Sequence, residues 1–177
     1  FMKRASRLAR EATGGKLPLW NREMPSGVLK ITPGPVNSGN PLKVVYFPSC
    51  TSRFMSGPSM GDTVKESLPH KTRSLLTKAG YEIIYPQNLD RLCCGQAFES
   101  KGFMTQANRK AEELSDALLT ASGNGEIPIL CDTSPCLYRM RAMPDTRLQM
   151  FEPIEFVLLY LMKQNTVKPN LRGYGIY

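Results

Sequence analysis

From Leu42 onward the chain alternates short apolar runs with longer amphipathic ones, and this alternation restricts the fold more than any other feature. "KVVYF" (Lys43–Phe47) is β-branched and apolar and predicts a buried strand. A Ser- and Gly-containing loop follows over Pro48–Gly61. Leu68, Leu75, Leu76 and Ala79 mark a helix over 68–79, with Pro69 in its first turn and Gly80 ending it. "YEIIY" (Tyr81–Tyr85) predicts a second strand. Phe103, Ala107, Ala111, Leu114, Leu118 and Ala121 recur at three and four residues, one apolar stripe of a helix over 103–121. "IPILC" (Ile127–Cys131) predicts a third strand, a short helix follows from Pro135, and "LQMF" (Leu148–Phe151) predicts a fourth. A last helix starts at Pro153, and its run "FVLLYLM" (Phe156–Met162) is too short to span a bilayer and reads as buried. The order β-α-β-α-β-α-β-α predicts an α/β domain: a small parallel sheet of about four strands, helices on both faces, right-handed crossovers.

Residues 1–41 differ from the rest. "GGKLPLWN", "MPSG" and "TPGPVNSGNP" have the composition of an irregular linker. A short helix is expected over 2–11, with Trp20 pinning the linker to a domain surface. The net charge of the 177-residue chain is +8, but residues 1–43 hold eight Lys or Arg against two Glu. The body is therefore near neutral, which argues against a nucleic-acid-binding face. The leader reads as a solvated basic linker, with contact to acidic lipid or a partner domain as the alternative. The chain opens on Phe1 without a signal-peptide pattern, so an excised piece of a longer cytoplasmic protein is expected, with a peripheral position at the inner face of the membrane as a variant.

Five cysteines in the spacing C-x42-C-C-x36-C-x4-C make no disulfide framework of a secreted protein. Cys50 follows the first strand, Cys93 and Cys94 follow the second, Cys131 ends the third, and Cys136 comes just after it. The carboxyl ends of parallel strands share one edge, where ligands bind. Secondary structure alone therefore gathers all five at one edge. Paired C-x2-C knuckles of a local zinc site are absent. Adjacent Cys93 and Cys94 do not form an ordinary disulfide with each other. Thiolates from three loops suit a metal centre in a cleft, with Gly95 letting backbone approach and amide N–H groups face sulfur. Cys131 also suits plain burial in a strand. A structural zinc site and thiol–disulfide chemistry pairing Cys93 or Cys94 with Cys50 or Cys136 remain open at this point.

"YFPSC" (Tyr46–Cys50), "LCCGQAFESKGF" (Leu92–Phe103) and "DTSPC" (Asp132–Cys136) resemble the cysteine-rich CCG domain found in heterodisulfide reductase, in the iron–sulfur component of glycolate oxidase and in anaerobic glycerol-3-phosphate dehydrogenase. "LPLWN…MP" and "SRFM" with a following "GD" look more narrowly like the C-terminal region of FAD-linked, quinone-dependent D-lactate dehydrogenases. That resemblance implies an electron-relay domain over 42–177, the first of two tandem CCG repeats. It implies a [4Fe–4S] cluster on Cys50, Cys93, Cys94 and Cys136. It places FAD, a ferredoxin-like domain and the second repeat elsewhere in the parent protein, with quinone or a membrane acceptor downstream. Heterodisulfide reductase carries C-x2-C in the last segment. Alignment on Cys136 puts Thr133 at the first of those positions and Cys131 two residues too early, so a role for Cys131 stays open.

Several other side chains flank these segments. Arg53 can balance thiolate charge, as can Ser100 and Lys101 by hydrogen bonding and charge. Asp132 and Ser134 can hydrogen-bond the site, and Asp132 alternatively caps the next helix. His70, the sole histidine, reads as solvated, and the nine methionines as gap-filling. No Gly-rich phosphate loop follows a strand.

Overall fold

The computed structural model describes residues 2–19, 21, 31, 41–55, 57, 66–143 and 145–163. Trp20, most of the expected linker and the tail from 164 lie outside the described residues. Helix α1 spans Met2–Ala12. The domain then runs β1 (Lys43–Phe47), α2 (Cys50–Met55), α3 (Leu68–Lys78), β2 (Glu82–Ile84), a 3-10 turn at Leu89–Arg91, α4 (Gln96–Glu99), α5 (Met104–Ala121), β3 (Ile129–Cys131), α6 (Ser134–Arg141), β4 (Met150–Phe151) and α7 (Pro153–Phe156), which continues as a π-helical stretch, Val157–Met162.

The four strands form one all-parallel sheet in the order β2-β1-β3-β4. Val44 pairs with Ile83, Val45 with Ile129 and Ile129 with Met150. Alternation along β1 sends Val45 and Phe47 to one face and Val44 and Tyr46 to the other. The first face packs on Leu114 and Leu118 of α5 and Leu137 and Met140 of α6. The second packs on Leu76 of α3, Phe156 of α7 and Leu161 of the π-helical stretch. Because β1 and β3 are buried on both faces, they read as continuous apolar runs rather than alternating ones.

Helix starts follow the expected chemistry. Pro69, Pro135 and Pro153 occupy first turns, and Glu152 with Glu155 forms a capping box on α7. Four expectations need correction. The segment after β1 opens with α2 instead of a loop, and α4 follows the Cys–Cys–Gly run directly. Phe103 is 56% exposed and lies outside the α5 stripe, which is completed by Ser115 instead. "FVLLYLM" is only partly buried: Phe156 and Leu161 face the core while Leu158, Leu159 and Met162 face outward. Among the described residues no helix is long and apolar enough to cross a membrane.

Candidate metal centre

The strand order reverses direction at β1: the chain moves from β1 outward to β2, then crosses back to β3. Open parallel sheets bind ligands at this switch point, outside the carboxyl ends of the strands. Cys50 lies there as the first residue of α2, and Cys136 in the first turn of α6. Cys93 and Cys94 reach the same edge on the loop between the 3-10 turn and α4.

The four sulfurs form a chain of contacts. Cys136 lies within interaction reach of Cys50 and Cys94, and Cys94 of Cys93. Hydrogen bonds from Cys136 and Cys93, helped by the Gln96 backbone N–H, hold the Cys94 thiol down to about 3 against the opposing effect of burial. Cys136 shifts the other way, raised by its neighbours Cys50 and Cys94 and by burial. Cys50 and Cys93 are partly exposed; Cys94 and Cys136 are buried. Cys131 is fully buried at the end of β3, raised to about 12 chiefly by burial, and its thiol donates to the Thr133 carbonyl at 3.7 Å. It therefore has a backbone partner of its own.

Gly95 explains the third letter of the Cys–Cys–Gly run. Its φ is 87°, and a Cβ there would lie 2.4 Å from the Ala107 carbonyl oxygen. The close approach expected of this glycine is thus to the backbone of α5. Its N–H does point at the Cys93 sulfur, at 3.4 Å.

Arg53 joins two of the cysteine loops from a buried position. Its guanidinium donates to the carbonyls of Pro48 (3.2 Å), Leu92 (2.5 Å) and Leu89. Burial lowers its pKa, and Cys50, Asp90, Cys93 and Asp132 oppose that effect. Asp132 joins the other two loops. It accepts from Tyr46 Oη at 2.8 Å, from the Ser49 amide at 2.9 Å and from Thr133 Oγ1 at 3.1 Å. Ser49 Oγ also lies 2.7 Å from Thr133 Oγ1 and accepts from the Ser52 amide at 3.1 Å. Burial, reinforced by Asp132, raises the Tyr46 hydroxyl and keeps it a donor.

Not every flanking residue joins this arrangement. Ser134 donates to Glu152 at 2.9 Å, away from the sulfurs, and Asp132 bridges loops without capping α6. Ser100 turns back to the Ala97 carbonyl at 3.1 Å, and His70 is exposed beside Glu66. The residues missed from sequence are Ser49, Tyr46, Thr133 and Arg139, the last bridging α6 to Glu99 of α4 at 3.1 Å and Asn108 of α5 at 2.6 Å. Only the "SCTS" (Ser49–Ser52) after β1 and the "DTS" (Asp132–Ser134) after β3 hint at such hydroxyl pairing.

Among the described residues no group of three or more His, Cys, Asp or Glu side chains is already set to hold a single metal ion. The donor set itself, four soft sulfurs from three loops beside a buried guanidinium, fits a thiolate-ligated iron–sulfur centre. No curated protein and no solved structure matches the chain. A family model described as the cysteine-rich domain CCG matches residues 44–147, from β1 to the approach to β4 and across all five cysteines. With well over half of its length matched, the chain belongs to the CCG cysteine-rich domain family.

Proposed function

We propose that the domain holds an iron–sulfur centre, of the [4Fe–4S] class, through Cys50, Cys93, Cys94 and Cys136, and serves as an electron relay. The observation that carries this reading is the contact chain linking these four sulfurs at the switch point of the sheet. When bound, such a centre supplies one-electron transfer at a potential tuned by its surroundings. Arg53 supplies a fixed positive charge next to Cys50 and Cys93, and the Gly95 and Gln96 amides supply donors toward Cys93 and Cys94. The Gln96 amide favours the thiolate form of Cys94. Arg53 ties the loop after β1 to the loop after β2, and Asp132 ties it to the loop after β3. Cys131 is left outside the ligand set, since its thiol is committed to the Thr133 carbonyl in the core.

On the resemblance of "SRFM", "LPLWN…MP" and the CCG segments, the parent protein is an FAD-linked D-lactate or other D-2-hydroxy-acid dehydrogenase, and the relay lies between flavin and quinone. The direct Cys94–Cys136 contact also suits a second reading, dithiol–disulfide exchange. In that case the two cysteines form a disulfide as a substrate disulfide is reduced to two thiols.

Anaerobic reconstitution with iron and sulfide tests the proposal, read by metal and sulfide content and by EPR of the reduced protein. Stoichiometric iron and sulfide that fall in Cys94→Ser and Cys136→Ser but persist in Cys131→Ala support it. Zinc uptake without iron, or a protein that only cycles a Cys94–Cys136 disulfide, overturns it.

A further inference from the structure

The sheet edge that carries the cysteines also carries apolar surface that the sulfurs do not need. Phe98 in α4 is 38% exposed, Phe103 before α5 is 56% exposed, and Met104 opening α5 is 46% exposed. The Phe103 amide donates to the Phe98 carbonyl at 3.0 Å, so both aromatic residues share one turn beside the Cys93–Cys94 loop. Phe54, in α2 four residues after Cys50, is 62% exposed, and Tyr138, two residues after Cys136, is 80% exposed. Each stretch that supplies a candidate ligand thus also presents an exposed aromatic ring. Single exposed apolar side chains such as Phe54 and Tyr138 are ordinary, but Phe98, Phe103 and Met104, close together in sequence beside the Cys93–Cys94 loop, mark a contact surface.

The charges on the same edge are unbalanced. Glu99 is paired with Arg139 at 3.1 Å and Asp132 is spent on Tyr46, Ser49 and Thr133, which leaves the exposed Asp90 as the one carboxylate among the described residues set against the cations flanking the Cys93–Cys94 loop. Arg91 and Lys101 flank the Cys93–Cys94 loop, are exposed, and make no salt bridge among the described residues. An apolar centre beside unpaired cations complements a surface with carboxylates around apolar residues. The centre supplies affinity by desolvation and the charges supply orientation and encounter rate.

We infer that this edge docks an acidic redox-protein partner, seating its electron-transfer surface over Cys50, Cys93, Cys94 and Cys136. The inference rests on the relay reading for its purpose, but docking is measurable without a bound cluster. The test is an NMR titration of the metal-free 177-residue chain with an acidic flavodoxin, using basic cytochrome c as the opposite-charge probe. Saturable shifts are expected at 91–104 and 136–141 with flavodoxin alone. Lys101→Glu and Phe103→Ser, both at exposed positions, should each weaken that binding about fivefold or more, and added salt should weaken it further. Lys3→Glu on α1 should leave it unchanged.

The inference is overturned by absence of saturable shifts, by shifts confined to residues 3–10, or by equal weakening in Lys3→Glu. Self-association lost in Phe103→Ser also overturns it, since a second copy then covers the face. Iron loading of the same variants separates the two ideas. Docking without loading removes the relay reading alone, and loading without docking removes this inference alone.

Discussion

Replacing Gly95 by alanine should damage the domain by two additive routes that a second glycine separates. The Gly95 φ of 87° lies in the left-handed region, which costs an L-residue about 1–2 kcal/mol. The new Cβ would also stand 2.4 Å from the Ala107 oxygen and 3.0 Å from its carbonyl carbon, both backbone atoms of α5. No rotamer change relieves that overlap, so the Cys–Cys–Gly loop must move off α5 by roughly 1 Å, at a further cost of about 1–3 kcal/mol. Gly80 has a φ of 82° with nothing within 4 Å of its Cβ position, so Gly80→Ala reports the conformational cost alone. With a urea m-value of about 2 kcal/mol/M, Gly95→Ala should unfold about 1 M earlier than Gly80→Ala. Iron and sulfide loading should fall in Gly95→Ala under conditions where it remains folded, because Cys93 and Cys94 move with the loop. Equal unfolding midpoints for the two variants would refute the reasoning, since the contact with α5 would then carry no energy.

Further expectations concern the ties between loops. Asp132→Asn presents an NH2 group to at least one of three donors and should cost about 1–3 kcal/mol by denaturant unfolding, more than Tyr46→Phe at about 0.5–1.5 kcal/mol. The two losses should be non-additive in a double-mutant cycle. Arg53→Lys keeps the charge but cannot reach Pro48, Leu89 and Leu92 together, so amide hydrogen exchange over 89–94 should accelerate by tenfold or more, about 1.4 kcal/mol. Glu82 on β2 is only 7% exposed and neither carboxylate oxygen is hydrogen-bonded among the described residues, so Glu82→Val should stabilise the domain by about 1 kcal/mol in thermal or urea unfolding.

The sheet was legible because β1 and β3 are short apolar runs flanked by turn residues, and because proline and glycine punctuate α3 and α7. The common edge of the cysteines followed from chain order alone, since parallel strands leave no other place for residues at their carboxyl ends. Helices α2 and α4 were not legible, being too short for a stripe to repeat. "FVLLYLM" is apolar at every position, so composition could not say which side faces the core, and π-helical winding further displaces the usual spacing. Arg53 and Asp132 act over 36 to 86 residues of sequence, a range at which no local pattern forecasts a hydrogen bond. Gly95 was singled out for close backbone approach and for an amide facing sulfur, which its N–H toward Cys93 shows, but its seat against α5 was not legible because only the packed structure brings α5 beneath it.

The strand order has a consequence for synthesis. A ribosome releases the central strand of this sheet first, then one flank, and only afterwards the inner strand of the other flank. Until β3 has emerged and slotted beside β1, Cys50 and the Cys93–Cys94 pair have no scaffold that sets them against Cys136. For most of the domain's translation the thiols are isolated nucleophiles, open to oxidation or to stray metal. The juxtaposition of Cys50, Cys93, Cys94 and Cys136 is thus completed by a late crossover of the nascent domain, and that timing is built into the order in which the strands are made.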